Sequence, residues 1–304
     1  MFSLAKLLRY CSIAVVLAFV CAGMAQAQKF VKLAPFPDAS EELYGISSGG
    51  KLYVMGGFVK PASGPTAWTP IDNAWEYDPA NDSWKPLAPL PTKRGSPNAA
   101  VVNGKIYVIG GASVSPGSKE TAVHPARPQR VLGVNEVYDP ATNTWAARSP
   151  MPTTRNHAAI GVVNNKIYVI GGRVGNAFIT RASNTDVVEE YDPATDQWGA
   201  LKASMPTARS ATAWGTYKGR IYVAGGEVRT DRMAGTYRAV EAYDPAANKW
   251  LILPPMTFAR HGLAGDVLGN RLYVVSGNVQ SGGGPGMVIA TDFHEALILD
   301  PDAN

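Results

Sequence analysis

Side chains able to do chemistry are scarce in this sequence. Its 304 residues include two cysteines and four histidines. Cys11 and Cys21 fall in the first 27 residues. His124, His157, His261 and His294 stand at spacings that match no metal-ligand pattern. No Gly-x-Ser-x-Gly turn is present, so the usual sequence sign of a serine hydrolase is missing. The glycine run at 282–286 lacks a Gly-Lys-Ser/Thr ending and a following helix, which removes the phosphate-loop reading. Arginine is the exception. Arg94, Arg155, Arg209 and Arg260 each close a short proline-containing stretch, and a residue that returns with every repeat is expected to build the fold.

The first 27 residues read as a cleavable secretory signal. Lys6 and Arg9 supply a basic start, Ile13 to Val20 an apolar stretch, and Ala25 and Ala27 the small residues before a cut at Gln28. The apolar stretch is too short to span a bilayer. Cleavage removes both cysteines and leaves residues 28–304 as one thiol-free domain, with no disulfide, thiolate metal site or cysteine nucleophile. Localisation is expected to be periplasmic or secreted. The formal charge of +4 falls to +2 without Lys6 and Arg9, which is no nucleic-acid footprint. No cofactor or metal is expected, and the chain is expected to act as a monomer.

The elements that position any site come from an internal repeat. Lys105 to Gly111 (KIYVIGG) returns at Lys51 to Gly57 (KLYVMGG), Lys166 to Gly172 (KIYVIGG) and Arg220 to Gly226 (RIYVAGG). A fifth copy, Arg271 to Gly277 (RLYVVSG), has Ser276 for the first glycine. Each apolar, β-branched run reads as a buried strand, and each glycine pair as a point needing positive φ or close approach. Aromatic-Asp-Pro elements follow at Tyr77, Tyr138, Tyr191 and Tyr243, with Leu299-Asp300 as the fifth. Asp-Pro starts a turn. Trp84, Trp145, Trp198 and Trp250 then open the next strand. No segment carries a sustained helical period, so the class is all-β.

Gly-Gly, Tyr-Asp-Pro and Trp in this order, at a period near fifty, resemble the kelch repeat, in which each copy forms one four-stranded blade of a β-propeller. Five copies imply five blades, with six as the alternative. Phe30 to Pro37 aligns with Trp84 to Pro91, so the N-terminal segment is expected to supply the outer strand of the last blade and close the ring.

The resemblance places two loop sets at the mouth of the central channel. Two residues past each arginine position the column reads Glu42, Ser96, His157, Ala211 and Gly262, beside Glu41, Gly95, Asn156, Ser210 and His261. Just after each glycine pair it reads Phe58, Ala112, Arg173, Glu227 and Asn278. Glu42, His157, Arg173, Glu227 and Asn278 are thereby expected around one opening, a set suited to a polar ligand such as a sugar or a peptide carboxylate. The long loops after the glycines offer a second surface, with Trp68, Arg127, Arg130 and Arg229 as candidate partner contacts.

Among kelch-type enzymes, the copper radical oxidases require a cysteine joined to a tyrosine, and residues 28–304 contain no cysteine. Two functions of different class stay open. The first is a non-catalytic module binding a protein or a glycan. The second is a sugar mutarotase or epimerase, resembling the periplasmic kelch sialic-acid mutarotases, with an acid or base and an arginine at the channel.

Overall fold

The computed structural model describes residues 32–59, 69–116, 130–175, 183–229, 233–281 and 289–300. The chain divides into two compact units, Met1–Pro35 and Phe36–Asn304. Of the first, residues 32–35 are described and carry no regular secondary structure. The expected signal segment, the expected closing strand around Phe30, and loop residues Trp68 and Arg127 lie outside the described residues.

The second unit is a five-bladed, all-β propeller. Blade 1 has strands Tyr44–Ser48, Lys51–Met55, Ala74–Asp78 and Ser83–Pro86, hydrogen-bonded in that order. Blade 2 is Asn98–Val102, Lys105–Ile109, Asn135–Asp139 and Thr144–Arg148. Blade 3 is Ala159–Val163, Lys166–Ile170, Val188–Asp192 and Gln197–Trp198. Blade 4 is Ala213–Tyr217, Arg220–Ala224, Val240–Asp244 and Lys249–Leu253. Blade 5 shows three strands among the described residues, Ala264–Leu268, Arg271–Val275 and His294–Ile298. Every pairing within a blade is antiparallel, as short hairpin connections require. Among the described residues there is no helix, and so none long and apolar enough to cross a membrane.

The second strand of each blade is the most deeply buried, because it lies between sheet neighbours on both edges and between blades on both faces. Ile106, Ile109, Ile167, Val169, Ile221, Val223 and Leu272 are essentially inaccessible. The glycine pairs that end these strands do what their sequence suggests. Gly110 and Gly111 have φ of 70° and 106°, and a Cβ on Gly110 would sit 2.5 Å from the Arg155 carbonyl of the next loop. Ser276 adopts the same left-handed backbone at φ 58° without being glycine.

Neighbouring blades are joined by two recurrent devices. The first is ionic. Arg155 donates to the Thr153 carbonyl at 3.0 Å, to Glu189 at 2.5 Å and to the Val169 carbonyl at 2.9 Å. Arg94 with Glu136 and Arg209 with Glu241 repeat this set, and Arg260 meets Glu295 at 2.5 Å. All four guanidinium groups are inaccessible to solvent. At the first junction Ser40 stands where the others have arginine. There Asp38 accepts from Asn73 and from the Trp75 indole, both at 2.6 Å.

The second device is hydrogen bonding by the indole and phenol groups. The indoles of Trp145, Trp198 and Trp250 donate to Ala88, Ser149 and Ala203 carbonyls of the preceding blade at 2.8–2.9 Å. Tyr191 donates to Asp196 at 2.6 Å, and the same carboxylate oxygen accepts the Ser149 amide at 2.8 Å. Tyr138 with Asn143 and Tyr243 with Asn248 form matching bonds.

One detail differs from the repeat alignment. Leu297 lies opposite Leu272 as Tyr138 lies opposite Ile106, so Asp300-Pro301 comes two residues later than the Asp-Pro of the other blades. This register puts Glu295 opposite Val274, as Glu136 is opposite Val108, and so supplies the partner for Arg260.

Candidate functional site

The two loop sets named from the sequence meet at the axial end of the propeller. One-residue bridges join Glu41 to Phe58, Gly95 to Ala112, Asn156 to Arg173, Ser210 to Glu227 and His261 to Asn278. Each blade thus clamps its entry loop to the residue following its glycine position. Short ribbons rise from these points at Phe58–Val59 with Thr69–Pro70, Ala112–Ser113 with Arg130–Val131, Arg173–Val174 with Ser183–Asn184, and Glu227–Arg229 with Ala234–Thr236. Arg130 opens the return strand of its ribbon and is exposed, and Arg229 ends the outgoing strand of another. The long loops are therefore rooted on rigid backbone.

The entry-loop column forms the inner rim. Glu42, Ser96, His157, Ala211 and Gly262 all have left-handed backbone, with φ between 50° and 61°. A backbone hydrogen-bond chain follows them around the axis: Ser96 N to Glu42 O, His157 N to Ser96 O, Ala211 N to His157 O and Gly262 N to Ala211 O. Four of the five are not glycine, although this conformation costs a non-glycine residue about 1 kcal/mol. On the same inner strands, Tyr44 of blade 1 meets Trp214 of blade 4 edge to face at 5.5 Å. Blades 1 and 4 are not adjacent, so these rings reach toward each other across the axis.

The rim side chains join into one polar chain. Ser96 Oγ donates to Glu42, whose Oε2 lies 3.1 Å from His157 Nε2. His157 Nδ1 faces Asn156 Oδ1 at 2.8 Å and an Arg173 nitrogen at 3.5 Å. Arg173 bonds Glu227, whose second oxygen lies 3.5 Å from His261 Nε2. Asn184 donates to the Glu227 carbonyl. Of the five residues expected around one opening, Glu42, His157, Arg173 and Glu227 are thus connected. Asn278 reaches the group through its backbone bridge to His261.

The chain is buried rather than lining an open bowl. Glu227 is 1% exposed and His157 and Arg173 are each 7% exposed, while the Glu42 side chain keeps 27% of its surface open. Burial opposes ionisation of Glu42, but His157, Ser96 and Arg173 outweigh it and hold the carboxyl at about 2. Burial drives His261 the other way, below the usual imidazole value, so it stays neutral at pH 7 despite Glu227. Burial also pushes the Tyr44 phenol far up, helped by Glu42. His261 Nδ1 and Ser210 Oγ are buried without a hydrogen-bond partner among the described residues. No group of three or more His, Cys, Asp or Glu side chains arranged to hold a metal occurs among the described residues.

Several contributors escape a reading by motif. Tyr44 occupies a column that otherwise holds Asn98, Ala159, Ala213 and Ala264, and that contrast is its only sequence signal. Trp214 stands out in the same way against Gly45, Ala99, Ile160 and Gly265, and Asn184 has no such signal. The recurrent arginines, by contrast, are consumed by inter-blade bonds and contribute nothing to the rim.

Comparison with known proteins agrees with this architecture. Residues 47–277 match the family model described as the KLHDC2/KLHL20/DRC7 Kelch-repeats domain. Kelch-like protein terF of Aspergillus terreus is 27% identical over 83% of this chain and 53% of its own length. Kelch-like protein 25 of Xenopus tropicalis is 29% identical over 83% of this chain and 39% of its own. Human Kelch repeat and BTB domain-containing protein 12 is 31% identical over 70% of this chain and 34% of its own. The chain therefore spans about half or less of these relatives. The solved structure titled "Structure of YjhT" superposes with a TM-score of 0.72 at 20% identity, covering 90% of this chain and 86% of the other. The chain belongs to the kelch-repeat family.

Proposed function

We propose that this chain is an exported recognition module whose loop-bearing axial face binds a protein segment or a glycan. The observation that carries the reading is the inner rim. Glu42, Ser96, His157 and Ala211 are held at positive φ where glycine would be cheaper, and three of them carry polar side chains in one connected chain. Strained backbone retained with specific side chains is a mark of functional sites. Glu42 is the open end of that chain, and the ribbons around it would hold the variable loops.

The test is capture from periplasmic extract, run beside a glycan array, with wild type and Glu42→Gln. Binding that the wild type shows and the Gln variant loses, at an unchanged fold by circular dichroism, supports the module. A partner bound equally by both removes the rim from recognition.

A second reading, sugar mutarotation, is favoured by one observation: an ionised Glu42 lies 3.1 Å from His157, with Arg173 next in line. Such an arrangement holds a base, a proton carrier and a fixed cation together. Saturation-transfer NMR between sugar anomers separates the two readings. Faster exchange that Glu42→Gln abolishes would make the protein an enzyme, and unaltered exchange keeps it a binding module.

A further inference from the structure

The opposite face, where the hairpin turns lie, carries a feature that the repeat itself exposes. A cleft of about 480 Å³ opens between blades 2 and 3, lined among others by Asn103, Lys105, Tyr107, Arg148, Lys166 and one carboxylate, Asp192. Blade 3 shows what such a set of side chains normally surrounds. There Glu190 receives Lys166 at 2.9 Å, the Tyr168 hydroxyl at 2.7 Å and Lys202 at 3.1 Å. Glu190 pairs across the sheet with Tyr168, and Lys202 follows on the outer edge, its amide bonded to the Val188 carbonyl.

Blade 2 repeats the cations and the phenol but not the carboxylate. Lys105 and Tyr107 stand where Lys166 and Tyr168 stand, and Arg148, paired with Asn135, takes the place of Lys202. The residue opposite Tyr107 is Val137, where blade 3 has Glu190. Blade 1 keeps its glutamate, with Glu76 opposite Tyr53 and 3.6 Å from Lys51. Blade 4 has Ala242 opposite Tyr222 but places Leu253, not a cation, at the outer position. Among the four blades whose outer strand is described, blade 2 alone combines both cations and the tyrosine with an apolar residue at the carboxylate position; blade 5 likewise has Arg271 and Tyr273, with Ala296 opposite the tyrosine.

The charges there are only partly met from within. Lys105 reaches Asp139 at 3.0 Å. Lys166 likewise approaches Asp192 at 3.8 Å while also serving Glu190, so this contact does not use up the lysine's donors. Arg148 Nε is buried without a hydrogen-bond partner among the described residues. Burial raises the Tyr107 phenol, Arg148 and Lys105 pull it down, and the Asp196 carboxylate of blade 3, which also feels Arg148, pushes it up again, so a ligand carboxylate would share Arg148 with Asp196.

We infer that the cleft between blades 2 and 3 binds a small hydroxylated carboxylate, whose carboxyl group takes the position that Glu190 occupies in blade 3 and is held by Arg148, Lys105 and the Tyr107 hydroxyl. A planar carboxylate suits the fork of a guanidinium. The amides of Asn103, Asn164 and Asn165 along the lining suit the hydroxyls of the ligand body. The site is on the face away from the rim and does not depend on the proposed function.

The probe is gluconate, titrated into the full-length protein by isothermal calorimetry and amide NMR, with glucitol as its uncharged counterpart. Saturable gluconate binding is expected, with shifts centred on Lys105, Tyr107 and Arg148, and none with glucitol. Arg148→Leu, which installs the residue blade 4 uses there, should weaken binding about tenfold or more. Val137→Glu, which copies blade 3, should abolish binding while the protein stays folded. Glu42→Gln should leave it unchanged. Absence of saturable binding by the wild type, equal binding of glucitol, or undiminished binding by Val137→Glu would each overturn the inference.

Discussion

Arg155 and Arg173 are eighteen residues apart, both buried and both paired with a glutamate, yet they belong to different kinds of structure. Arg155 makes the same three contacts that Arg94 and Arg209 make, one junction after another. Arg173 has no such series, since its column reads Phe58, Ala112, Glu227 and Asn278 in the other blades. Its partners, His157 and Glu227, are equally particular to their blades. The difference teaches how to read a propeller. Side chains that return in every blade answer to the geometry of blade packing. Side chains that change around one ring, while the backbone beneath them keeps one conformation, are free to answer to something outside the chain.

The largest effect should come from breaking the repeated half of this comparison. Arg155→Met leaves Glu189 buried without its cation, with only the Thr153 amide and hydroxyl bonded to it, and should cost about 3–5 kcal/mol in urea unfolding. A loss under about 1 kcal/mol would mean that the junction tolerates the orphaned carboxylate. Asp196→Ala comes next. It removes the acceptor of the Tyr191 hydroxyl and the Ser149 amide and should cost about 2–3 kcal/mol by the same measurement.

The rim responds to pH. The Glu42 carboxyl has its pKa lowered from 4.5 to about 2, so the folded state holds fewer protons than the unfolded chain between these values. Its contribution is complete above pH 4.5 and is lost as pH falls toward 2. About 2 kcal/mol should disappear across that window, less than the whole shift implies because the side chain is partly open to water. Glu42→Gln should flatten that limb of the stability profile, and an unaltered limb would remove the His157 interaction from the account. His261, lowered by burial, contributes stability above pH 6.5 that fades as pH drops below it, so its loss should precede that of Glu42. The smallest effect should be a gain. Ala211→Gly relieves a non-glycine residue at φ 54° and should raise stability by about 0.5–1 kcal/mol, whereas a loss would show that the rim backbone is not strained there.

Much of the fold was legible because the repeat is written in residues with few alternatives. Gly110 and Gly111 need positive φ, and Asp139-Pro140 can do little but turn. The glutamates of the junctions were not legible. Glu136 and Glu241 sit in strands without a charged neighbour and Glu189 beside Glu190, patterns that ordinarily mark the solvent face, and only three-dimensional register brings each to its arginine. Blade 5 hides Glu295 further, because its Asp-Pro comes two residues late. At the rim, Glu42, His157, Arg173 and Glu227 could be collected by column, since equivalent loop positions must meet at the axis. Their linkage into one buried chain depends on side-chain reach. Tyr44 and Trp214 meet across the axis from blades that are not sequence neighbours, which no repeat alignment displays.

The separation between a repeated scaffold and a particular rim is tested most directly by measuring, on one captured partner or glycan, the affinities of Glu42→Gln and Asp196→Ala at equal folded fraction. The account predicts that Glu42→Gln loses at least about tenfold in affinity while Asp196→Ala, destabilised but with its rim intact, binds as the wild type does. Equal affinities for wild type and Glu42→Gln, or an affinity loss in Asp196→Ala matching that of Glu42→Gln, would contradict it.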